Sequence, residues 1–225
     1  MRKFVPVAAA IAASAAVVAL PTTLAYAAAP VHVLTINKVG GPAVKVNAVL
    51  KSGLKPKTKA VFTLGSGSSV KLTCKSSTFS STVKTNPVKP GSATESLTAI
   101  STSKCTFSGI TGVTFKSIKS LNLPYKVSVS DAAGFPTTIS GQSKTKPIKF
   151  TVKVAAGTSV ITCNYKAATV KGKASNTGNT IAFSKQKFSK ASGSNALCVA
   201  PAFFSATFGP VKDSSVMGLP KVFVN

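Results

Sequence analysis

Apolar and polar residues alternate along most of this chain, and this period of two constrains the fold more strongly than any other sequence feature. In residues 148–154 (IKFTVKV) the apolar side chains share one face, while Lys149, Thr151 and Lys153 share the other. Because successive side chains of a strand point to opposite sides, this pattern predicts a strand with one buried and one solvated face. The same pattern occurs, with varying regularity, in residues 44–50, 59–64, 70–75, 113–118, 125–130 and 180–188.

Short runs rich in glycine, proline and serine separate these alternating segments, and long stretches of helical periodicity are absent. Examples of the turn composition are residues 65–68 (GSGS), 89–91 (KPG) and 134–136 (GFP). Many short strands joined by such turns predict an antiparallel sandwich or barrel. We expect an all-β fold of immunoglobulin-like β-sandwiches with two disulfides. The tryptophan-centred core of a true immunoglobulin domain is excluded, because the chain has no Trp.

The four cysteines occur in two similar sequence contexts. Cys74 ends the segment VKLTC and Cys163 ends the segment SVITC, and each is followed by one further cysteine, Cys105 and Cys198. An even number of cysteines in an exported chain indicates disulfides, since the compartment is oxidising. The repeated context indicates a weak internal duplication. It favours the bridges Cys74–Cys105 and Cys163–Cys198, although the other two pairings stay open.

Residues 1–27 have the features of a secretory signal peptide. A basic start precedes the apolar residues 5–20, and residues 25–27 (AYA) fit the small-x-small cleavage rule. The alternative is a membrane anchor, but the apolar run is shorter than the about 20 residues that span a bilayer, and Pro21 ends it. We therefore expect cleavage after Ala27, export by the general secretory route to the extracellular space, and no transmembrane anchor in the mature chain.

The run at residues 141–147 (GQSKTKP) is the most linker-like segment that follows the signal peptide, because it is polar and basic and ends in proline. It predicts a boundary between one β-unit at residues 28–142 and a second β-unit at residues 143–225, each with one pair of cysteines. The alternative is a single interwoven sandwich, in which the same run is a long crossover loop.

The ionisable residues exclude most catalytic chemistry. The chain has 28 Lys+Arg against 3 Asp+Glu and 1 His, which gives a formal net charge of +25. Glu95, Asp131, Asp213 and His32 are too few for paired-carboxylate catalysis, a metal cage or a conventional triad. His32 lies in an alternating segment, and we expect it to be an exposed strand residue and not a general base. The sequence predicts a protein that is not an enzyme and has no metal site and no cofactor.

The lysines are the positive functional signal. Several lie two residues apart in segments of extended pattern, so that their side chains share one strand face. We expect these lysines to bind a polyanion, since rows of cations create a positive potential that attracts any polyanion. The candidate residues are Lys55, Lys57, Lys59, Lys171, Lys173, Lys185 and Lys187, with Lys144, Lys146 and Lys149 as a further local group. The segment KPKTK at residues 55–59 is expected to be extended by its proline.

The kind of polyanion follows from the absence of arginine after Arg2. Base-specific recognition relies on arginine forks, so sequence-specific nucleic-acid binding is disfavoured. An exported protein meets anionic polymers of the cell wall or extracellular matrix, and we expect a non-specific contact with one of these. The alternative is a secreted structural or protein-interaction module, such as a coat component or an inhibitor, whose lysines serve solubility only.

Several segments distributed along the chain after residue 27 carry a resemblance. They include residues 41–44 (GPAV), 90–99 (PGSATESLTA), 122–125 (NLPY), 190–194 (KASGS) and 222–225 (VFVN). Together they resemble the small secreted proteins of streptomycetes and related actinobacteria, a family without an assigned activity. The resemblance implies secretion, disulfides and a β-rich fold, and it implies no catalytic residue.

Overall fold

The computed structural model describes residues 29–67 and 69–225. The predicted signal peptide, residues 1–27, lies outside the described residues. In this part of the chain every regular element is a β-strand, so the all-β expectation is confirmed.

Fifteen strands follow one another along the described chain, and the two longest are β4 and β5. The strands are β1 (Leu34–Ile36), β2 (Val49–Gly53), β3 (Ala60–Leu64), β4 (Lys71–Thr85), β5 (Ser92–Ser108), β6 (Val113–Leu121), β7 (Tyr125–Ser130), β8 (Pro136–Ser140), β9 (Ile148–Ala156), β10 (Ser159–Ala167), β11 (Thr169–Ser175), β12 (Thr180–Lys190), β13 (Ala202–Phe208), β14 (Lys212–Asp213) and β15 (Val222–Val224).

Eight of these strands form a closed antiparallel ring in the order β11-β8-β7-β5-β4-β3-β13-β12. The ring closes because β12 pairs with β13 on one side and with β11 on the other. This arrangement is a closed barrel with additional strands, and it is not clearly the immunoglobulin-like sandwich that the alternation suggested. Closure removes the unpaired sheet edges that an open sandwich leaves exposed, since each ring strand has a hydrogen-bonded neighbour on both sides.

The period of two in the sequence separates the interior of the ring from its surface. On β7, Tyr125, Val127 and Val129 are buried, while Lys126 is exposed. On β3, Phe62 faces the core in the same way. Each fully buried side chain of this size contributes about 1.5–3 kcal/mol of transfer free energy, so the inward face drives the folding of each strand.

A three-stranded extension continues the sheet from β12 through β10 and β9 to β6. The apolar face of this extension packs against the ring through Phe150. Its ring centroid lies 4.9 Å from that of Phe62 and 5.0 Å from that of Phe188. On the same face, Tyr165 stacks on Phe150 at 5.2 Å. The extension and the ring therefore share one hydrophobic core.

Further short strands complete the sheet. Strand β2 pairs with β4, and β14 pairs with β2, so that these two strands branch from the ring. Strands β1 and β15 form a separate antiparallel pair that joins the two ends of the described chain.

Both predicted disulfides are present. Cys74 and Cys105 lie directly opposite each other on β4 and β5, and their bond links neighbouring strands of the ring. Cys163 on β10 is bonded to Cys198, which precedes β13. Two structural disulfides indicate an oxidising environment outside the cytosol.

The two β-units expected at residues 28–142 and 143–225 share one hydrogen-bonded sheet. The ring takes β3, β4, β5, β7 and β8 from the first segment, and β11, β12 and β13 from the second. Strand β11 pairs with β8 across the expected boundary, and β13 pairs with β3. Whether the two segments also behave as separate units stays a prediction.

Candidate functional site

The three carboxylates lie within hydrogen-bonding networks that contain no lysine side chain. Buried Glu95 accepts a hydrogen bond from the Ser81 hydroxyl. Asp131 accepts one from the backbone N–H of Gly91 at 3.0 Å, and buried Asp213 accepts one from the backbone N–H of Ser215 at 2.8 Å. The described hydrogen bonds therefore leave the lysine charges without carboxylate partners.

His32 is half-buried and forms an isolated β-bridge with Val88 ahead of β1, so the expectation of an exposed strand residue is wrong. Its Nδ1 lies 2.6 Å from the backbone carbonyl of Asn86. Within residues 29–67 and 69–225, no group of three or more His, Cys, Asp or Glu residues is placed to hold a metal ion.

Nearly all lysines of the described chain are exposed, and the exceptions, Lys149 and Lys212, are partly buried. Strands β11 and β12 bring together two of the predicted pairs. Lys171 and Lys173 are exposed on either side of the inward-facing Gly172. The backbone N–H of Lys171 donates a hydrogen bond of 2.7 Å to the Gln186 side chain, which lies between Lys185 and Lys187. These four lysines form one group on the outer surface of the ring.

The predicted geometry of residues 55–59 is wrong. This segment is a turn and not an extended row, because the backbone N–H of Thr58 donates to the carbonyl of Lys55 at 3.0 Å. Lys57 has a positive φ of 66°, which reverses the chain direction. The proline of KPKTK initiates the turn, as proline does at the second position of many turns. Lys55, Lys57 and Lys59 are exposed there, but they do not share a strand face.

The remaining predicted lysines lie around the start of β9. Lys144 and Lys146 are exposed in the loop that precedes this strand, and Lys149 lies within it. Lys149 is directly opposite Lys166 of β10. The outer face of the extension therefore carries a pair of like charges on neighbouring strands.

Three further lysines, from three different chain segments, lie side by side in a row. In the β2–β14 pair, Lys51 lies opposite Lys212, and Lys212 also forms an antiparallel bridge with Lys221. Residues that lie opposite each other on antiparallel strands project to the same side, with Cβ atoms about 5 Å apart. We call Lys51, Lys212 and Lys221 the lysine row.

The lysine row is electrostatically unfavourable for the isolated protein. Like charges directly opposite each other on neighbouring strands are destabilising. Two unit charges about 4 Å apart in water repel by about 1 kcal/mol, although flexible lysine side chains can diverge and reduce this repulsion. Among the described hydrogen bonds, none to the buried Asp213, the residue after Lys212, comes from a lysine. A bound anion would remove the repulsion.

A groove of about 780 Å³ lies beside the lysine row. Lys51 and Lys212 line it together with hydroxyl-bearing residues of β4 and β5, among which are Thr78, Ser80 and Ser101. The strand register explains the arrangement, because Lys51 is paired with Ser80 on β4. The groove thus combines cations with hydroxyl groups that can donate hydrogen bonds to an anionic oxygen.

The sequence alone did not identify the lysine row. Lys51 directly follows the strand predicted at residues 44–50, but Lys212 and Lys221 are isolated in the sequence and far from Lys51. Only the pairing of distant segments brings the three residues together. Lys166 was missed for the same reason, since nothing in the sequence indicates that it pairs with Lys149. The scarcity of acids in the sequence indicates that surface lysines lack acidic partners, but it does not distinguish one surface lysine from another.

No family model matches the chain, and comparisons with curated proteins and with solved structures found no match. The resemblance to small secreted actinobacterial proteins stays a prediction. In the described part of the chain, no helix has the length and apolar character needed to cross a membrane.

Proposed function

We propose that this protein is exported and binds an anionic polymer of the cell wall or extracellular matrix, without enzymatic activity and without base-specific contacts. The lysine row is the principal contact surface, and the group formed by Lys171, Lys173, Lys185 and Lys187 is a secondary one.

The observation that supports this proposal is the direct opposition of Lys51, Lys212 and Lys221 across neighbouring segments. An ordinary surface mixes both charge signs, and such mixing would relieve the repulsion. Here the three acids of the chain are used in other hydrogen bonds. A polymer with repeated negative charges would neutralise the row, and the release of its counterions would add to the affinity.

The test replaces the lysine row by glutamine in the triple variant Lys51→Gln, Lys212→Gln and Lys221→Gln. Binding to polyphosphate and to polygalacturonate is measured from low to high salt. We expect weaker binding at low salt and a flatter dependence of the logarithm of affinity on the logarithm of salt concentration. The slope should decrease by about one for each lysine that contacts the polymer.

The matched control is the triple variant Lys45→Gln, Lys89→Gln and Lys126→Gln. These lysines are exposed; Lys45 and Lys89 lie outside the strands and Lys126 is paired with Ser96 and Ser140, so none lies opposite another lysine in the strand register, but their replacement changes the net charge equally. We expect the control to lose less affinity. Equal losses in both variants would show that only total charge matters. Binding of the wild-type protein that persists at high salt would favour the alternative, a protein-interaction module with an apolar interface.

A further inference from the structure

A cavity of about 120 Å³ lies in the hydrophobic core that the ring shares with strands β6 and β9 of the extension. Most of its wall is apolar, and phenylalanine rings from several strands, among them Phe62, Phe79, Phe183 and Phe208, contribute to it. An apolar cavity of about 150 Å³ in another protein stays dry and binds benzene. Eight-stranded closed sheets are also known to hold one small ligand. The cavity therefore has the size and character to hold a molecule with one ring.

One wall of the cavity is polar. Strands β4 and β5 contribute Ser77, Ser81, Glu95 and Thr102 to it. The Ser77 hydroxyl lies 3.1 Å from the Thr102 hydroxyl and from the Ser101 carbonyl. The Ser81 hydroxyl donates to Oε2 of Glu95. The serine hydroxyl protons are therefore used within the wall itself.

The second carboxylate oxygen of Glu95 borders the cavity. Among the described residues no hydrogen-bond donor reaches Oε1, yet every fully buried side-chain oxygen or nitrogen there has a partner. Oε1 must therefore adjoin free space. The side chain of Glu95 projects from the same strand face as buried Ala93 and Leu97. Glu95 and its partner Ser81 both line the cavity, and Glu95 faces inward, so its carboxyl borders the cavity.

Other ionisable residues of the wall do not neutralise Glu95. The Tyr125 hydroxyl is hydrogen-bonded to the carbonyls of Leu121 and Lys149. Lys149 contributes to the wall, but its side chain lies with that of Thr151 on the outer face of β9, opposite the face that bears Phe150. A buried carboxylate without a cation is costly, and this carboxylate has one serine hydroxyl as its described partner.

We propose that the cavity binds a compact apolar amine, whose ammonium group pairs with the Glu95 carboxylate while its ring or short alkyl body contacts the phenylalanine side chains. An ammonium group satisfies Oε1 with a charge-assisted hydrogen bond. Phenylalanine faces within about 6 Å also attract a cation. An alcohol of the same shape could donate a hydrogen bond to Oε1 but could not neutralise the charge.

The protons balance in this binding step. Burial raises the pKa of Glu95, with the Ser81 hydrogen bond as a smaller opposing effect, so the empty cavity favours the protonated carboxyl. The positive protein repels cations, so the amine enters in its neutral form. The carboxyl proton then moves to the amine nitrogen, which gives a carboxylate and an ammonium ion. For an amine that is protonated in solution, one proton is released to the solvent overall.

This site is independent of the proposed polymer-binding function. The cavity lies in the core shared by the ring and the extension, whereas the lysine row lies on β2, β14 and the segment paired with β14. Loss of polymer binding in the glutamine triple variant leaves the cavity unchanged, and replacement of Glu95 leaves the lysine row unchanged.

The test uses benzylamine, benzyl alcohol and toluene as probes of similar shape. Binding is measured by isothermal titration calorimetry and by the rise in Tm with ligand concentration. We expect wild-type protein to bind benzylamine at least about tenfold more tightly than benzyl alcohol, which corresponds to about 1.4 kcal/mol. Glu95→Gln should bind benzyl alcohol and toluene as the wild type does and should lose the preference for the amine. Ser81→Ala, which keeps the carboxyl, should retain that preference.

Three results would overturn the amine proposal. The first is that no probe raises the Tm of the wild type, which would make the cavity a closed part of the core. The second is equal affinity for the amine and the alcohol, and the third is an amine preference that survives in Glu95→Gln. If Glu95→Gln fails to fold, calorimetry of the wild type in buffers of different ionisation enthalpy replaces it. At mildly acidic pH, benzylamine binding should release protons and benzyl alcohol binding should not, and the absence of that difference contradicts the proposal.

Discussion

Glu95 is a buried carboxyl whose surroundings are mostly apolar. It is buried inside the ring, and the Ser81 hydroxyl is the donor described for it. Burial raises its pKa because the apolar wall disfavours the charged form. The buried hydroxyl of Tyr165 shows the same effect, since burial raises its pKa to about 12 while the group donates to the Val199 carbonyl at 2.7 Å. Tyr165 therefore stays neutral at physiological pH.

Glu95→Gln should make the stability of the protein less dependent on pH. A carboxyl whose pKa is raised in the folded state contributes stability below the ordinary pKa of 4.5, and this contribution is lost as the pH rises through the folded-state pKa. Glutamine keeps an acceptor for Ser81 and does not ionise. We expect the free energy of unfolding of the variant to equal that of the wild type at acidic pH. At pH 8 it should be higher than that of the wild type by about 1 kcal/mol, which corresponds to an increase of about 2–4 °C in Tm.

Thermal unfolding of both proteins from acidic to alkaline pH measures this difference. Ser81→Ala serves as the control, because it removes a hydrogen bond to the carboxylate and should increase the pH dependence. If the wild type is as stable at pH 8 as at acidic pH, and Glu95→Gln has the same stability as the wild type at both, the carboxylate is solvated. That outcome would contradict its buried position.

At the scale of the elements, the pairing of β11 with β12 closes the ring. Gly172 lies where these strands meet and pairs with Phe183. A Cβ atom at position 172 would lie 2.7 Å from the Phe183 ring and 2.8 Å from the Ala182 carbonyl oxygen. The glycine therefore provides space for the Phe183 side chain inside the ring, and the flanking Lys171 and Lys173 remain on the outer surface.

Gly172→Ala should destabilise the protein by about 1–3 kcal/mol, because an added methyl group must displace a packed aromatic ring or the backbone of β12. Chemical denaturation measures the effect, and Lys173→Ala, on the same strand but exposed, should change the free energy of unfolding by less than about 0.5 kcal/mol. Equal stability of Gly172→Ala and the wild type would mean that β11 and β12 are not packed as closely as described.

The alternation predicted many of the strands correctly and missed the longest. Residues 148–154 and 125–130 lie within β9 and β7, as their pattern predicted. Strand β5, Ser92–Ser108, was not identified, because its inward positions include Glu95 and its sequence is rich in serine and threonine. Without an apolar contrast between the two faces, a strand of this composition gives little local signal. Its hydrogen bonds to β4 and β7 decide its structure.

At the scale of the whole molecule, strands from both halves of the sequence complete one ring: β8, β7, β5, β4 and β3 form one arc, and β13, β12 and β11 form the other. The extension adds Phe150 to the packing of Phe62 and Phe188, so that residues before and after the expected boundary at residue 142 share a core. The lysine row likewise combines Lys51 with two residues near the end of the chain. Both the core and this surface thus contain residues from both halves of the sequence.

Differential scanning calorimetry of the oxidised protein should show one cooperative unfolding transition, with equal calorimetric and van't Hoff enthalpies. The physical reason is that unfolding of either segment would open the ring and expose the apolar interior of the other. Limited proteolysis at residues 141–147 provides a second measurement, and the fragments should remain associated under native conditions. Two separate transitions would instead support independent units at residues 28–142 and 143–225.

The sequence by itself determined the properties that depend on near neighbours and on composition. The period of two set which side of many strands is buried, and the paired contexts of Cys74 and Cys163 led to both disulfides. The scarcity of acids predicted a surface with an unbalanced positive charge. Each of these properties can be deduced locally, because alternation, cysteine context and charge do not depend on which distant strand becomes a neighbour.

Only the tertiary structure decided the closure of the ring, the cavity beside Glu95 and the opposition of Lys51 to Lys212 and Lys221. These features depend on register and partner choice between strands that are far apart in the sequence. A period-two pattern fits an open sandwich and a closed barrel equally well, since both bury one face of each strand. The difference arises from long-range pairing, above all that of β3 with β13 and of β8 with β11, which the local pattern does not encode.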